Sequence, residues 1–290
     1  MPSVTIVIPI QNREKFLPRL FRSLAAVDYE DLELVLVDNG STDSSLSLCR
    51  SFAEDAPMVV TVLQERRRGA SCARNMGLRH CSTEWIYFFD SDDELSPSFL
   101  EEIMPRVGDA QMVAFPIMQD VDGRVTKRAF ISVNNPSAQI LSSTLCSASM
   151  LFRSDFLREI GGWNEGLTTW DDWELGIRAL NHQPRILWFP QPYHLAYVHD
   201  DSQTGPSMTS RRNAIIKAME TVRDNDVLTP QVHRALYWRQ AVVSGLLQRE
   251  GAEPIDVVRS ASRLERLVGR LLQSYTALGG RGAWRIALFL

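Results

Sequence analysis

The sequence predicts an α/β fold with a mainly parallel sheet covered by helices on both faces. Three observations carry that expectation. Apolar runs rich in β-branched residues recur between positions 4 and 89, as strands buried on both faces require. Stretches of helical periodicity separate them, long enough for right-handed crossovers. Asn12, Asp38 and Asp90 fall just past three of the runs, so they should meet in one crevice at the carboxyl ends of the strands.

Val4–Ile10 is the first run, followed by a helical pattern through Phe16, Leu17, Leu20 and Leu24. Leu34–Val37 is a second strand ending at Asp38, and Asn39-Gly40-Ser41-Thr42-Asp43 reads as a turn and then a helix N-cap. Val59–Leu63 is the third strand, Ala70–Leu78 a helix and Trp85–Phe89 the fourth strand. A helix is expected from Ser96-Pro97. The pattern is then mixed: strands at Gln111–Met118 and Arg124–Ile131 around a turn at Asp120–Gly123, another at Ser149–Phe152, and a loop at Gly161–Glu165. A helix from Asp171 to about Asn181 and strands at Ile186–Phe189 and Tyr193–His199 close this region. Residues 209–278 read as helical, with breaks near Leu228–Pro230 and Gly251–Pro254. The sequence contains no internal repeat and no low-complexity segment.

At 44% hydrophobic and 23% charged residues, the composition excludes a disordered or fibrous chain. No apolar stretch reaches the roughly 18 residues of a membrane span. The N-terminus lacks the basic segment and cleavage site of a signal peptide, and is expected to be a first strand. Cys49, Cys72, Cys81 and Cys146 show neither a CxxC pair nor metal-ligand spacing; small buried hydrophobes in a reducing cytoplasm are expected. The net charge of −4 is uneven. Residues 1–204 hold 18 Lys and Arg against 28 Asp and Glu, whereas residues 205–290 hold 13 against 7. Body and tail should therefore do different work.

The densest chemistry is Asp90-Ser91-Asp92-Asp93, directly after an apolar strand. Three carboxylates this close repel one another unless a cation neutralises them. Hard oxygen ligands suit Mg²⁺ or Mn²⁺, which fills its remaining sites with water and substrate phosphate. A solvated acidic turn ahead of a helix fits the same residues. Asp38 reads either as an Asx-turn residue or as an acceptor for a base N–H or ribose hydroxyl. Arg66–Arg68 suit a solvated loop, while Arg74 and Asn75 lie in the first turns of a helix near the crevice, where anions are favoured. Asp171 and Asp172 stand between Trp170 and Trp173 at a helix start. They suit N-capping, or a general base whose pKa the flanking indoles would raise. His199 ends an aromatic strand before Asp200-Asp201-Ser202, as a structural histidine or as a metal or phosphate contact.

Together these residues resemble the family 2 glycosyltransferases, nucleotide-sugar enzymes of the GT-A fold. Six motifs run in the expected order across about residues 3–205: Val7–Arg13, Leu36–Asp43, Gly69–Gly77, Phe89–Asp93, Gly161–Glu165 and Asp171–Leu175. The resemblance implies that Pro9 and Asn12 border the nucleotide pocket, that Asp38 binds the base, usually uracil, and that Arg74 lies near base or phosphates. It places Asp90 and Asp92 on the ribose and metal side of a DxD-type motif, with Asp92 and Asp93 as metal ligands, Asp93 the direct one, and His199 beside metal or diphosphate. Asp172 is implied as the general base of an inverting transfer, with Asp171 as its alternate. The usual acidic pair at that motif is Glu-Asp, whereas here it is Asp171-Asp172.

The resemblance implies a catalytic domain over 1–205 and a helical C-terminal region over 206–290. A divalent cation, Mg²⁺ or Mn²⁺, is the expected cofactor. The expected partners are a nucleotide-sugar donor, a UDP-sugar, and a saccharide or lipid-linked acceptor of surface polysaccharide or glycoconjugate synthesis, with no nucleic acid. A haloacid-dehalogenase-type phosphatase would want a Gly-Thr-type turn where Asp93-Glu94 stands, and a dinucleotide oxidoreductase would want GxGxxG after the first strand. A non-catalytic sugar-nucleotide-binding scaffold is the other alternative. In the tail, Val258, Ala261, Leu264, Leu267, Val268, Leu271, Leu272 and Tyr275 are expected on one helical face, with Arg259, Arg263, Arg266 and Arg270 opposite. Such a helix packs on the domain with its arginines outward, or lies on the inner face of an anionic membrane, a use that the apolar ending Trp284–Leu290 also fits. The tail could also form a homodimer.

Overall fold

The computed structural model describes residues 1–199, 207–224, 229–260, 262–282 and 285. The strands are β1 (Val4–Ile10), β2 (Leu32–Asp38), β3 (Val59–Gln64), β4 (Trp85–Phe88), β5 (Glu94–Leu95), β6 (Met112–Ala114), β7 (Met118–Val121), β8 (Arg124–Lys127), β9 (Met150–Arg153), β10 (Ile186–Trp188) and β11 (His194–Val198). The α-helices are α1 (Leu17–Ala25), α2 (Ser45–Asp55), α3 (Ala70–His80), α4 (Phe99–Ile103), α5 (Pro136–Ser142), α6 (Ser154–Glu159), α7 (Asp171–Asn181), α8 (Arg212–Arg223), α9 (Pro230–Arg249) and α10 (Arg263–Ala277). They form two compact units. The first comprises Met1–Phe130, Cys146–Gly166 and Pro184–His199; the second comprises Ile131–Leu145, Leu167–Gln183 and Asp200–Leu290. The expected boundary at 205/206 lies outside the described residues, as do Asp200-Asp201-Ser202 and, apart from Arg285, the ending Trp284–Leu290.

The first unit is a seven-stranded sheet in the order β10-β6-β9-β4-β1-β2-β3. Every neighbouring pair is parallel except the two that β9 makes, with β4 and β6. β1 lies inside the sheet and is covered on both faces, which is why all but one of its residues are apolar; the exception, Thr5, is buried with its hydroxyl 2.7 Å from Thr83 Oγ1. Val4, Ile6, Ile8 and Ile10 point into a core shared with Leu17, Leu20 and Leu24 of α1 and with Phe99 of α4. On the other face α3 lies so close that a Cβ at Gly77 would stand 2.3 Å from a Val7 methyl. Gly77→Ala should therefore cost about 1–3 kcal/mol in urea-induced unfolding through overpacking. An unchanged midpoint would show that the contact gives way freely.

One expected strand, Gln111–Met118, is two. β6 ends at Ala114 in the large sheet and β7 begins at Met118 in a four-stranded sheet, order β5-β11-β7-β8. Pro116 sits between them, has no N–H to give to a ladder, and marks the change of sheet. The helix expected from Ser96 is the short α4, and α5 and α6 had no expectation. None of the four cysteines is in a disulfide, and all are buried. Burial, with the Asp38 charge as a lesser cause, pushes the Cys49 thiol up to about 12.

The second unit is helical, with α9 packed against α5, α8 and α10, and α7 against α5 and α8. Its buried polar groups are answered locally. The Gln240 side chain accepts from Val257 N and Val258 N and donates to Val258 O, fastening the connection between α9 and α10. That connection, not a short break at Gly251–Pro254, fills the interval between Arg249 and Arg263.

The face expected to pack from α10 does not. Leu264, Leu267, Leu271 and Tyr275 are exposed, Val268 is half-buried, and of the expected set Val258 and Leu272 are buried. Ala261 lies outside the described residues. The packed face is Glu265, Gly269, Leu272 and Thr276. Close backbone approach selects it: a Cβ at Gly245 of α9 would stand 2.4 Å from Gln273 O, and one at Gly269 would stand 2.7 Å from the Tyr237 ring. Among the described residues, no helix is long and apolar enough to cross a membrane.

Candidate active site

Parallel strands bring their carboxyl ends to one rim, and the loops leaving β1, β2, β3 and β4 are tied together there. Asn12, held at φ +53°, accepts at Oδ1 from Thr42 N at 2.8 Å, linking the loops after β1 and β2. Pro9 is half-buried on β1 opposite Val37. Asp38 ends β2 almost fully buried, and its Oδ1 accepts from Ser41 N at 3.2 Å, the Asx-turn of the first reading. Asn39, which had no assigned role, is the hub of the region. Its Nδ2 donates to Glu65 O and Arg67 O, while Oδ1 accepts from Gly69 N at 2.8 Å. Gly69, at φ +123°, takes a backbone conformation that starts α3 and that side chains disfavour.

Arg74 is buried on α3. Its guanidinium donates to Asp90 Oδ1 at 3.1 Å and lies over the Trp163 ring, 4.4 Å from the centroid. Asn75 clamps the backbone of Trp163, accepting from its N–H and donating to its carbonyl, both at 2.8 Å. Two sequence motifs, Gly69–Gly77 and Gly161–Glu165, are thus two sides of one contact. Arg67 bridges Glu65 and Glu165, which accounts for one arginine of the basic loop, and that pairing holds the Glu65 carboxyl below its usual range. Arg66 and Arg68 are exposed.

The three clustered carboxylates have three different environments. Asp90 faces Arg74, with Ser147 Oγ 3.5 Å from its other oxygen. Asp92 Oδ2 lies 2.9 Å from His199 Nε2 and 3.8 Å from the Arg13 guanidinium. His199 stacks on Phe16, centroids 4.6 Å apart at 19°, so the strand-end histidine and the loop after β1 enclose Asp92. Arg19 also donates to the Asp92 carbonyl.

Asp93, expected to be the direct metal ligand, is turned inward. It is 4% exposed, with Oδ2 2.5 Å from His194 Nε2 and Oδ1 accepting from Tyr197 N at 3.0 Å. Burial pushes its carboxyl upward, and the facing imidazole opposes that push. His194 Nδ1 meets Tyr87 Oη at 2.9 Å, and that hydroxyl also donates to Ala148 O. His194 went unassigned, although a polar residue inside a buried aromatic strand demands a partner. Arg13 and Phe16 carried no such signal; only contact with Asp92 and His199 reveals them.

Among the described residues, no group of three or more His, Cys, Asp or Glu side chains is placed to hold a metal ion. Asp92 and His199 offer one carboxylate oxygen and one imidazole nitrogen, and basic Arg13 stands beside them. A two-donor set fits a divalent cation that draws the rest of its shell from diphosphate and water. Asp93, with both oxygens committed, does not fit.

Asp171 and Asp172 belong to the second unit, in the first turn of α7 after Trp170, which sits at φ +57°. Both are half-buried, and Asp172 Oδ1 accepts from Trp173 N at 2.7 Å. Trp173 is buried and donates to Ile140 O, so it is an anchor. The Arg239 guanidinium lies 4.7 Å from the Trp170 ring centroid. The structure thus gathers Asn12, Asp38, Arg74, Asp90, Asp92 and His199 on the first unit and sets Asp171 and Asp172 on the second.

Residues 5–161 match the family described as Glycosyl transferase family 2. Glycosyltransferase GlyA of Streptococcus pneumoniae serotype 4 is 32% identical over 108 residues, 37% of this chain and 15% of that protein. The poly(ribitol-phosphate) beta-N-acetylglucosaminyltransferase TarS of Staphylococcus aureus is 26% identical over 165 residues, 55% of this chain and 29% of that protein. The matches therefore span less than a third of either relative's length. The crystal structure of S. aureus TarS 1–349 with UDP-GlcNAc superposes with a TM-score of 0.69 at 17% identity, covering 98% of this chain and 90% of that one. The mannosyltransferase PcManGT of Pyrobaculum calidifontis, in complex with GDP-Man and Mn²⁺, gives 0.61 at 19% identity, covering 98% and 82%.

Proposed function

This chain belongs to glycosyl transferase family 2 and has the GT-A fold, and from that premise we propose that it transfers a sugar, with inversion, from a nucleotide-diphosphate donor to a hydroxyl acceptor. A UDP-sugar is the proposed donor, and a saccharide or lipid-linked glycan of surface polysaccharide synthesis the proposed acceptor. Neighbours bound to UDP-GlcNAc and GDP-Man support the donor class. The observation that carries the proposal is the differentiated acidic cluster: Asp90 on Arg74 and Asp92 on His199, side by side at the carboxyl end of the central strands.

In this reading Pro9 and Asn12 border the nucleotide, and Asp38 meets the base with the oxygen that Ser41 does not occupy. Asp90, held by Arg74, accepts from a ribose hydroxyl, and Arg74 lends positive charge beside the phosphates. Asp92 and His199 would hold Mg²⁺ or Mn²⁺, which neutralises charge developing on the departing diphosphate. Asp172 is proposed to take the acceptor proton as the new glycosidic bond forms and the bond to diphosphate breaks, with Asp171 as alternate.

Titration calorimetry of UDP with and without Mn²⁺ tests the donor site. Binding strengthened by the metal, at least about tenfold, is expected. Failure of UDP, GDP and the other nucleoside diphosphates to bind under either condition would sink the proposal.

A further inference from the structure

Helix α10 turns an apolar stripe to solvent. Leu264, Leu267, Leu271, Tyr275 and Leu278 are 68, 57, 62, 50 and 89% exposed, at the three- and four-residue spacing that lines up one side of a helix. They alternate with the packed set Glu265, Gly269, Leu272 and Thr276, so the stripe is distinct from the face that α9 covers. Large leucines repeated this way are not scattered surface residues; a contiguous exposed apolar patch marks a contact surface.

Charge says what that surface meets. Arg263, Arg266 and Arg270 are exposed along one edge of the stripe. From Arg259 to the end of the sequence there are six arginines and one acidic residue, Glu265. That carboxylate is buried and spent on the helix start, where Ser262 and Glu265 form a reciprocal capping box. The stripe is therefore edged by cations with no exposed carboxylate on the helix. A second copy that pairs its α10 with this one brings the same cations and no exposed carboxylate on that helix to answer them. A layer with an apolar interior and an anionic surface answers both features.

We propose that this face of α10 docks on an anionic lipid surface, its leucines in the acyl boundary and its arginines among the headgroup phosphates. The contact is independent of the sugar-transfer chemistry proposed above. It would hold the protein where a lipid-linked acceptor resides, though a free saccharide acceptor leaves it unchanged.

Flotation of the full chain with vesicles tests it. Vesicles of phosphatidylcholine containing phosphatidylglycerol should carry the protein upward, and phosphatidylcholine alone should not. Two triple variants separate the terms: Leu264→Gln with Leu267→Gln and Leu271→Gln, and Arg263→Gln with Arg266→Gln and Arg270→Gln. All six side chains are exposed, so unchanged circular dichroism and UDP titration are expected. Each arginine is worth roughly fivefold in partition, so its variant should lose about a hundredfold, and the leucine variant at least about tenfold. Wild type left behind by the anionic vesicles, or variants that float as well as wild type, would overturn the inference. So would a concentration-dependent dimer in sedimentation equilibrium that the leucine variant abolishes while vesicles capture nothing. That last result would assign the stripe to a second copy.

Discussion

Asp172→Asn is expected to lower turnover by roughly 10²–10⁴-fold, the usual worth of a positioned general base, while UDP affinity stays within about twofold. The substitution is chosen to remove charge and little else. Asparagine retains an oxygen at Oδ1, where Asp172 accepts from Trp173 N, so the first turn of α7 keeps its bond. The indole beneath remains anchored through Trp173 Nε1 to Ile140 O. Donor binding is proposed to rest on the first unit, which Asp172 does not belong to. The informative pattern is thus a fall in kcat without a loss of nucleotide. Asp171→Asn is the control. If it abolishes transfer and Asp172→Asn does not, the base is Asp171. If neither alters turnover, this pair is not the base at all.

Neighbouring carboxylates should fail in opposite ways. Asp93→Ala is expected to cost about 3–5 kcal/mol of stability, because it strands His194, which is fully buried, and leaves Tyr197 N without its acceptor. Asp92→Ala should change the unfolding free energy by no more than about 1 kcal/mol, since its partners His199 and Arg13 are partly solvated and screened. Its loss should show instead in chemistry: weaker dependence of UDP binding on Mn²⁺ and a turnover lower by about 10²–10³-fold, the equivalent of several kcal/mol of charge stabilisation. Thermal unfolding and Mn²⁺ titration on the two variants check both halves. A stable Asp93→Ala protein that no longer responds to Mn²⁺ would return the metal to Asp93 and displace Asp92.

Central strands of the first unit were legible because burial on both faces strongly favours apolar residues; the one hydroxyl in β1, that of Thr5, is buried against Thr83 Oγ1. Val4–Ile10, Leu34–Val37 and Trp85–Phe88 are otherwise continuous apolar runs, and such runs pair in parallel when helices intervene. The rim position of Asn12, Asp38 and Asp90 followed from the same logic, since parallel strands share one carboxyl end. Helix α7, Asp171–Asn181, was equally plain from its acidic start and apolar face. Shorter elements were not legible. Pro116 divides one apolar run between two sheets, and α5 and α6, of 7 and 6 residues, are too short to show a period.

Sequence by itself determined the order of the first four strands and the helices between them, the rim where their polar groups gather and the small set of candidate carboxylates there. All of these depend on neighbours in the chain or on burial that composition reports directly. The tertiary structure alone decided which carboxylate is buried against an imidazole and which face of α10 is left exposed. Asp92 and Asp93 are adjacent and chemically identical; His194, 101 residues beyond Asp93, claims one, and His199, 107 residues beyond Asp92, meets the other. On α10 a leucine stripe gives up the packed position to Gly269 and Thr276, because the glycines of α9 and α10 let the backbones approach more closely than leucines would allow. Both choices rest on contacts between distant segments, and a local pattern carries no record of them.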